Sequence, residues 1–391
     1  LESVKIEIRF NLLFIVVIGL IIPPAFFPSE KSLVIEGARV LGSDGLFRAP
    51  CRVVIANGKI MDVGPQVPSP AGAILIDGRN KWLIPGLIDV FICPTALAKE
   101  PPEKSDHFTP RDKIIDVLDP EKYPARNARV WEIMKIHKEK FTEALKAGVT
   151  TLLVIPDRTK VVSGPAGVVK VKPFFRGDSV LSDSWALRIG FERKSLEGLE
   201  SHMGIVSGIR EVLSAEPTVL PVLFETNTEE ETALALSLQE EFRLRAVFYG
   251  KIDTPSAIAE IARKKIPVIL PSPAPSEADE FIRQLKNMLD SNVESTFYSN
   301  GNRLNPLKAV VAIKPWLQAV NIPESRVYDL VCAAPARILG LSRRLGGIEK
   351  GMDADLVLWD GDPLQPLSKP EKVFIDGDLV YESGGKKRAG K

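Results

Sequence analysis

The feature that most constrains this chain is a long stretch, from Gly86 to Leu341, in which short apolar, β-branched runs alternate with segments of helical composition. That alternation marks β/α units and a parallel sheet. Eight runs read as strands, at 82–90, 150–155, 168–171, 186–189, 219–224, 245–249, 267–270 and 295–298. Helix boundaries fall between them. Thr228-Glu-Glu-Glu231 forms a capping box, Thr254-Pro255 sets an N-cap before a first-turn proline, and the segment from Lys140 to Ala147 stops at Gly148. About 250 residues with eight such units fit a TIM-like (β/α)8 barrel, assigned to residues 86–345. A doubly wound open sheet satisfies the same periodicity and stands as the alternative.

The two flanks share another grammar. From Ser32 to Gly64, β-branched runs are bounded by the turn signals Asp44-Gly45 and Asn57-Gly58, and from Gly347 to Tyr381 the pattern returns with Asp360-Gly361 and Asp376-Gly377. Such dipeptides mark antiparallel hairpins. Residues 30–85 and 346–383 are therefore expected to form one β domain outside the barrel, with 384–391 a flexible basic tail. A chain of 391 residues exceeds what one core usually organises, which suits a large domain with a smaller satellite.

Residues 1–29 stand apart. Lys5 and Arg9 precede the uncharged run Leu12 to Ile22, followed by Pro23-Pro24-Ala25-Phe26-Phe27, the order of an export signal. Eleven residues fall short of the roughly 20 a span requires, so a cleaved signal peptide or signal anchor is expected, with a periplasmic or inner-membrane location. The structural alternative is a buried first element of the globular part. Lys+Arg 51 against Asp+Glu 50 leaves no field for nucleic acid or, beyond the N-terminal segment, for a membrane. The three cysteines lie too far apart for a zinc knuckle or a disulfide framework.

The segment Trp82-Leu-Ile-Pro85-Gly86-Leu-Ile-Asp89 resembles the first barrel strand of the amidohydrolase superfamily, whose pattern continues x-His-x-His. Ala334-Pro335-Ala336-Arg337-Ile-Leu-Gly340, with Gly351-Met-Asp353-Ala-Asp355-Leu-Val-Leu-Trp359, resembles that superfamily's closing helix and composite β-sandwich domain. A middle stretch, Ala147 to Thr151 and on to Gly164-Pro-Ala-Gly167-Val-Val-Lys170, is similar to the imidazolonepropionase-like branch. The resemblance implies one or two divalent metals such as zinc at the C-terminal mouth of the barrel. Their ligands would be the His-x-His pair, a Lys or Glu from the middle strands, histidines on the fifth and sixth strands, and an Asp on the eighth. In such a site an open metal position lowers the pKa of bound water to about 7.

Set against that implied pattern, the ligand positions of this chain hold other residues. Phe91 and Cys93 stand for the first two histidines, Glu225 with Asn227 for the fifth-strand histidine, Tyr249 for the sixth, and Asn300 for the aspartate. Phenylalanine has no lone pair to give, and a neutral amide is no general base. The only histidines, His107, His137 and His202, fall outside these strands. Glu192 and Asp89 match family positions at the mouth, the latter equally readable as a strand-end cap. Lys170 is taken to line the pocket or to lie solvated.

Two functions follow as expectations. The leading one is a pseudoenzyme without cofactor that binds a small molecule or an intact amidohydrolase paralogue. The other is a hydrolase with a rewired carboxylate site, Glu192 and Glu225, using a hard cation or no metal. A homodimer is carried over from the resemblance alone.

Overall fold

The computed structural model describes residues 32–92, 138–155, 161–172, 177–191, 202–215, 217–252, 254–273, 275–299 and 305–384. Its strands form two sheets. The first joins β1 (Leu33–Leu41), β2 (Phe47–Ala56), β3 (Lys59–Gly64), β4 (Ile74–Asp77) and β5 (Trp82–Pro85) to three strands from the other end of the chain. The second holds β6 (Leu87–Ile92), β7 (Val149–Val154), β8 (Val162–Lys170), β9 (Val180–Gly190), β10 (Val222–Thr226), β11 (Ala246–Gly250), β12 (Val268–Pro271) and β13 (Ser295–Tyr298). The C-terminal strands β14 (Leu356–Trp359), β15 (Pro370–Ile375) and β16 (Asp378–Glu382) complete the first sheet, in the order β16-β15-β14-β5-β1-β2-β3 with β4 beside β1.

The turn residues explain the hairpins. Asn57 and Gly58 both have positive φ, as do Asp376 and Gly377, which is the backbone a tight two-residue hairpin turn demands. The two ends meet where β5 and β14 pair antiparallel, Trp82 opposite Trp359 and Pro85 opposite Leu356. The run expected as one strand at 82–90 breaks at Gly86, where the chain leaves the first sheet and enters the second. Gly86 donates its N–H to the Asp355 carbonyl at 2.8 Å.

The second sheet is a nearly closed barrel whose strands follow chain order from β6 to β13. Each of the eight expected runs overlaps one of its strands, yet the all-parallel (β/α)8 plan needs a correction. β8 lies antiparallel to both β7 and β9. The links at 155–161 and 171–179 are shorter than the dozen residues a parallel crossover needs, so the chain can only turn back. The strand also begins before Val168, because Gly164-Pro165-Ala-Gly167 reads as a loop yet is held in the ladder with register shifts.

Side chains fill the lumen as in other eight-stranded barrels, with Ile88, Leu153, Val168, Ala186, Leu223, Val247 and Ile269 in one buried cluster. Ala336 and Leu339 of the closing helical segment join that cluster, and the Trp185 indole donates to the Leu339 carbonyl at 3.2 Å. Outside, helices α1 (Lys138–Lys146), α2 (His202–Ala215), α3 (Glu229–Glu241), α4 (Pro255–Lys264), α5 (Ala278–Asp290) and α6 (Pro306–Ala319) cover the barrel. The capping box forms as spelled: Thr228 accepts from Glu231 N, and the Glu231 carboxyl accepts from Asn227 N. The segment Leu12–Ile22 lies outside the described residues, among which no helix is long and apolar enough to cross a membrane.

Candidate functional site

At the C-terminal ends of β9, β10 and β11, three neighbouring strands direct Arg188, Glu225 and Tyr249 to a common point. Arg188 Nε lies 3.1 Å from Glu225 Oε2 and 3.0 Å from the Tyr249 hydroxyl. Arg188 Nη2 also donates to Glu225 Oε2, as does the Tyr249 hydroxyl. All three side chains are buried. Burial works against the Arg188 charge, but Tyr249 and Glu225 outweigh it and hold the guanidinium protonated. Burial, reinforced by Glu225, pushes the Tyr249 phenol well above its ordinary value despite Arg188. Tyr249 is therefore a neutral hydrogen-bond donor here.

On β6, Asp89 links the two ends of the barrel sheet. Its carboxyl accepts from Ser299 N at 3.2 Å and from the Ser299 hydroxyl, joining β6 to the residue after β13. That is the strand-end role the sequence allowed for Asp89. Asn227 is exposed at the start of α3 and stands outside the trio. Cys93, Glu192 and Asn300 lie outside the described residues, as do His107 and His137. Phe91 falls on β6 and His202 begins α2. Sequence reasoning missed Arg188 and Ser299. The available signal was an arginine inside the apolar run Trp185-Ala-Leu-Arg-Ile-Gly190, since a buried charge calls for a partner.

Lys170 needs the firmest correction: it neither lines the mouth nor lies in solvent. Because β8 runs backwards, its last residue comes to the N-terminal end of the barrel, facing the first sheet. There Lys170 Nζ bonds Asp353 at 2.7 Å, Asp355 at 3.0 Å and Asp376 at 2.5 Å, and the lysine is only 1% exposed. Arg344 reaches Asp353 at 2.8 Å and Lys172 reaches Asp376 at 2.9 Å. Burial opposes the Asp353 charge, but hydrogen bonds from Arg344, Lys170 and Lys59 hold it well below the usual carboxylate range. Burial pushes Asp355 up to about 6 against the pull of Lys170, and its Oδ2 has no partner among the described residues.

A pH dependence follows from Asp355. Its pKa in the unfolded chain is near 4, so the fold binds its proton more tightly than the unfolded chain does between about 4 and 6. Stability should rise as pH falls from 7 to 5. Asp353 contributes in the opposite sense, its stabilisation being lost only below about pH 4. With three histidines in the chain, few other groups titrate in this window. Urea unfolding at pH 7 and pH 5 should show the gain in the parent and lose it in Asp355→Asn. Equal pH slopes in both proteins would refute the assignment.

A separate cleft of about 720 Å³ opens beside the Leu41–Gly45 turn and Tyr328, away from the trio. Within it Lys286 pairs with Asp290 at 2.9 Å and Arg326 with Asp329 at 2.6 Å. It presents no convergent set of reactive groups.

The superfamily's metal site can be tested against the donors at the mouth. Glu225 and Tyr249 occupy the fifth- and sixth-strand positions, and a guanidinium sits on the only carboxyl of the trio. A fixed cation within hydrogen-bond distance repels a divalent ion, and a neutral phenol is a poor ligand. Among the described residues, no group of three or more His, Cys, Asp or Glu side chains is disposed to hold a metal. These residues do not fit the group.

Comparison with known proteins agrees with the architecture. The model of the amidohydrolase family matches residues 239–380. The chain is 33% identical over 97 residues to amidohydrolase tasK of Hapsidospora irregularis, a match covering 25% of this chain and 10% of that relative. It is 38% identical over 60 residues to a dihydroorotase of Anaeromyxobacter dehalogenans, covering 15% of this chain and 14% of the relative. These matches thus span a small part of each relative's length. Among solved structures, an amidohydrolase from Thermotoga maritima MSB8 superposes with a TM-score of 0.70 at 22% identity, over 90% of this chain and 100% of that one. Atrazine chlorohydrolase from Arthrobacter aurescens TC1, solved with zinc, gives 0.55 at 14% identity, over 90% and 95%. The family match thus covers the C-terminal part of the barrel and the last strands, and the fold over 90% of the chain is that of the Thermotoga amidohydrolase.

Proposed function

We propose that this chain is a non-catalytic amidohydrolase, a paralogue of metal-dependent hydrolases acting on C–N bonds that serves by binding a small molecule or a catalytically intact relative. The observation that carries this reading is the Arg188–Glu225–Tyr249 trio on β9, β10 and β11. The usual chemistry needs a cation that acidifies water and a base that takes the proton. Here the cation is a guanidinium, which cannot open a coordination position, and the phenol beside it keeps its proton. The rewired-hydrolase reading requires Glu225 to be open to water or a hard ion, and its Oε2 is instead taken up by Arg188 and Tyr249.

The test is turnover of dihydroorotate and of simple lactams and N-acyl amino acids by purified protein with added zinc or manganese. We expect no rate above the metal-only blank. Hydrolysis abolished by Glu225→Gln would replace this reading with the rewired one.

The same proposal takes the sheet made by both chain ends as the superfamily's composite β-sandwich, and keeps export through the Leu12–Ile22 segment. Fractionation that recovers full-length protein from the cytoplasm would remove the export part.

A further inference from the structure

The mouth of the barrel carries a cation that belongs to the chain itself, and the backbone makes room for it. A methyl group at Gly190 would stand 2.4 Å from Arg188 Nη2 and 3.0 Å from its Cζ. Residue 190 is therefore glycine where the guanidinium folds back toward β10, whose Glu225 lies directly opposite Gly190 in the ladder. Two arms of the guanidinium converge on one oxygen, Glu225 Oε2, while the Nε arm also meets the Tyr249 hydroxyl. A divalent ion in a metal-binding barrel neutralises its carboxylate ligands and fixes their side chains. The Arg188 fork does both for Glu225 and Tyr249.

We infer that Arg188 is a resident cation that takes the electrostatic place of the metal ion, neutralising Glu225, orienting Tyr249 and keeping divalent ions out by charge. This deepens the non-catalytic reading and rests on it. Arg188 is thus a positioning residue for the mouth. Removing it alone takes the guanidinium from the buried Glu225 carboxyl. Removing Arg188 and Glu225 together leaves neither charge.

The experiment is a double-mutant cycle in the full chain, read as thermal unfolding by circular dichroism with and without zinc chloride. Arg188→Leu and Glu225→Leu should each lower the midpoint by about 5 °C or more. The double variant should recover at least half of the Arg188→Leu loss. Gly190→Ala, which displaces the guanidinium without altering charge, should fall between parent and Arg188→Leu. Zinc should leave the midpoints of the parent and the double variant unmoved. Additive losses in the double variant would overturn the inference. If the single variants do not fold, soluble yield decides: a double variant recovered better than either single supports the pairing, and one recovered no better overturns it. Zinc retained by the parent would overturn both the exclusion of divalent ions and the non-catalytic reading, whereas additive losses, measured without metal, overturn the pairing alone.

Discussion

Replacing Lys170 by methionine should cost this chain about 3–5 kcal/mol of folding stability, the usual loss when one partner of a buried charge cluster is removed. Methionine keeps most of the apolar stem, so the loss isolates the ammonium from the packing. Three carboxyls from the first sheet converge on that ammonium. Asp353 would retain Arg344 and Lys59, and Asp376 would retain Lys172. Asp355 would lose its only ion-pair partner among the described residues, and burial already pushes it up to about 6. The loss should therefore be largest at neutral pH and shrink toward pH 5, as Asp355 takes up a proton. Adding Asp355→Leu to Lys170→Met should restore more than half of the stability. Urea unfolding of the two variants checks both statements, and a loss under about 1 kcal/mol for Lys170→Met would mean the cluster does not tie barrel to sheet.

The second large effect is expected at Gly86, where Gly86→Ala should cost about 3 kcal/mol, the upper end for overpacking a buried site. The added Cβ would lie 2.0 Å from Thr150 Oγ1 and 2.5 Å from Thr150 Cγ2. Neither side can yield easily. Thr150 is buried in β7, and the Gly86 backbone is pinned through its N–H to Asp355. Thr150→Ala in the same chain should recover part of the loss, since its Oγ1 and Cγ2 leave but its Cβ, 2.7 Å from the new methyl, stays. Thermal unfolding of the single and double variants measures this. Equal stability of Gly86→Ala and the parent would show that the two sheets can slide past each other at this point.

Gly86 also shows what was legible in the sequence. The motif Pro85-Gly86-Leu87 marked the entry to the barrel, but periodicity ran it together with β5 and β6 as one strand. Apolar run length carries no information about which sheet a residue joins. The eight barrel strands were visible as β-branched runs, and the turns Asn57-Gly58 and Asp376-Gly377 as positive-φ dipeptides. The direction of β8 was not, because direction depends on connection length and the glycine-rich run at 164–167 disguised where the strand begins. Lys170 was misplaced for the same reason, a reversed strand carrying its last residue to the opposite end of the barrel.

At the mouth, family spacing singled out Glu225 and Tyr249, and the fold sets them side by side on adjacent strands. Arg188 escaped because the strand-four segment 185–194 was read for its Gly190 and Glu192, with no role at position 188. What betrayed it was its setting, one charge within the buried stretch 185–190 that ends β9. Such a residue can be recognised only when its counter-charge is known, and here Glu225 lies 37 residues further along the chain.

The most direct test of the proposed loss of the metal centre is elemental analysis of the full chain after incubation with excess zinc and exhaustive dialysis. A guanidinium seated on Glu225 should leave well under about one metal per chain, with no difference between the parent and the Glu225→Gln variant. About one tightly held zinc per chain, lost in Glu225→Gln, would contradict it and identify Glu225 as a ligand in a working metal site.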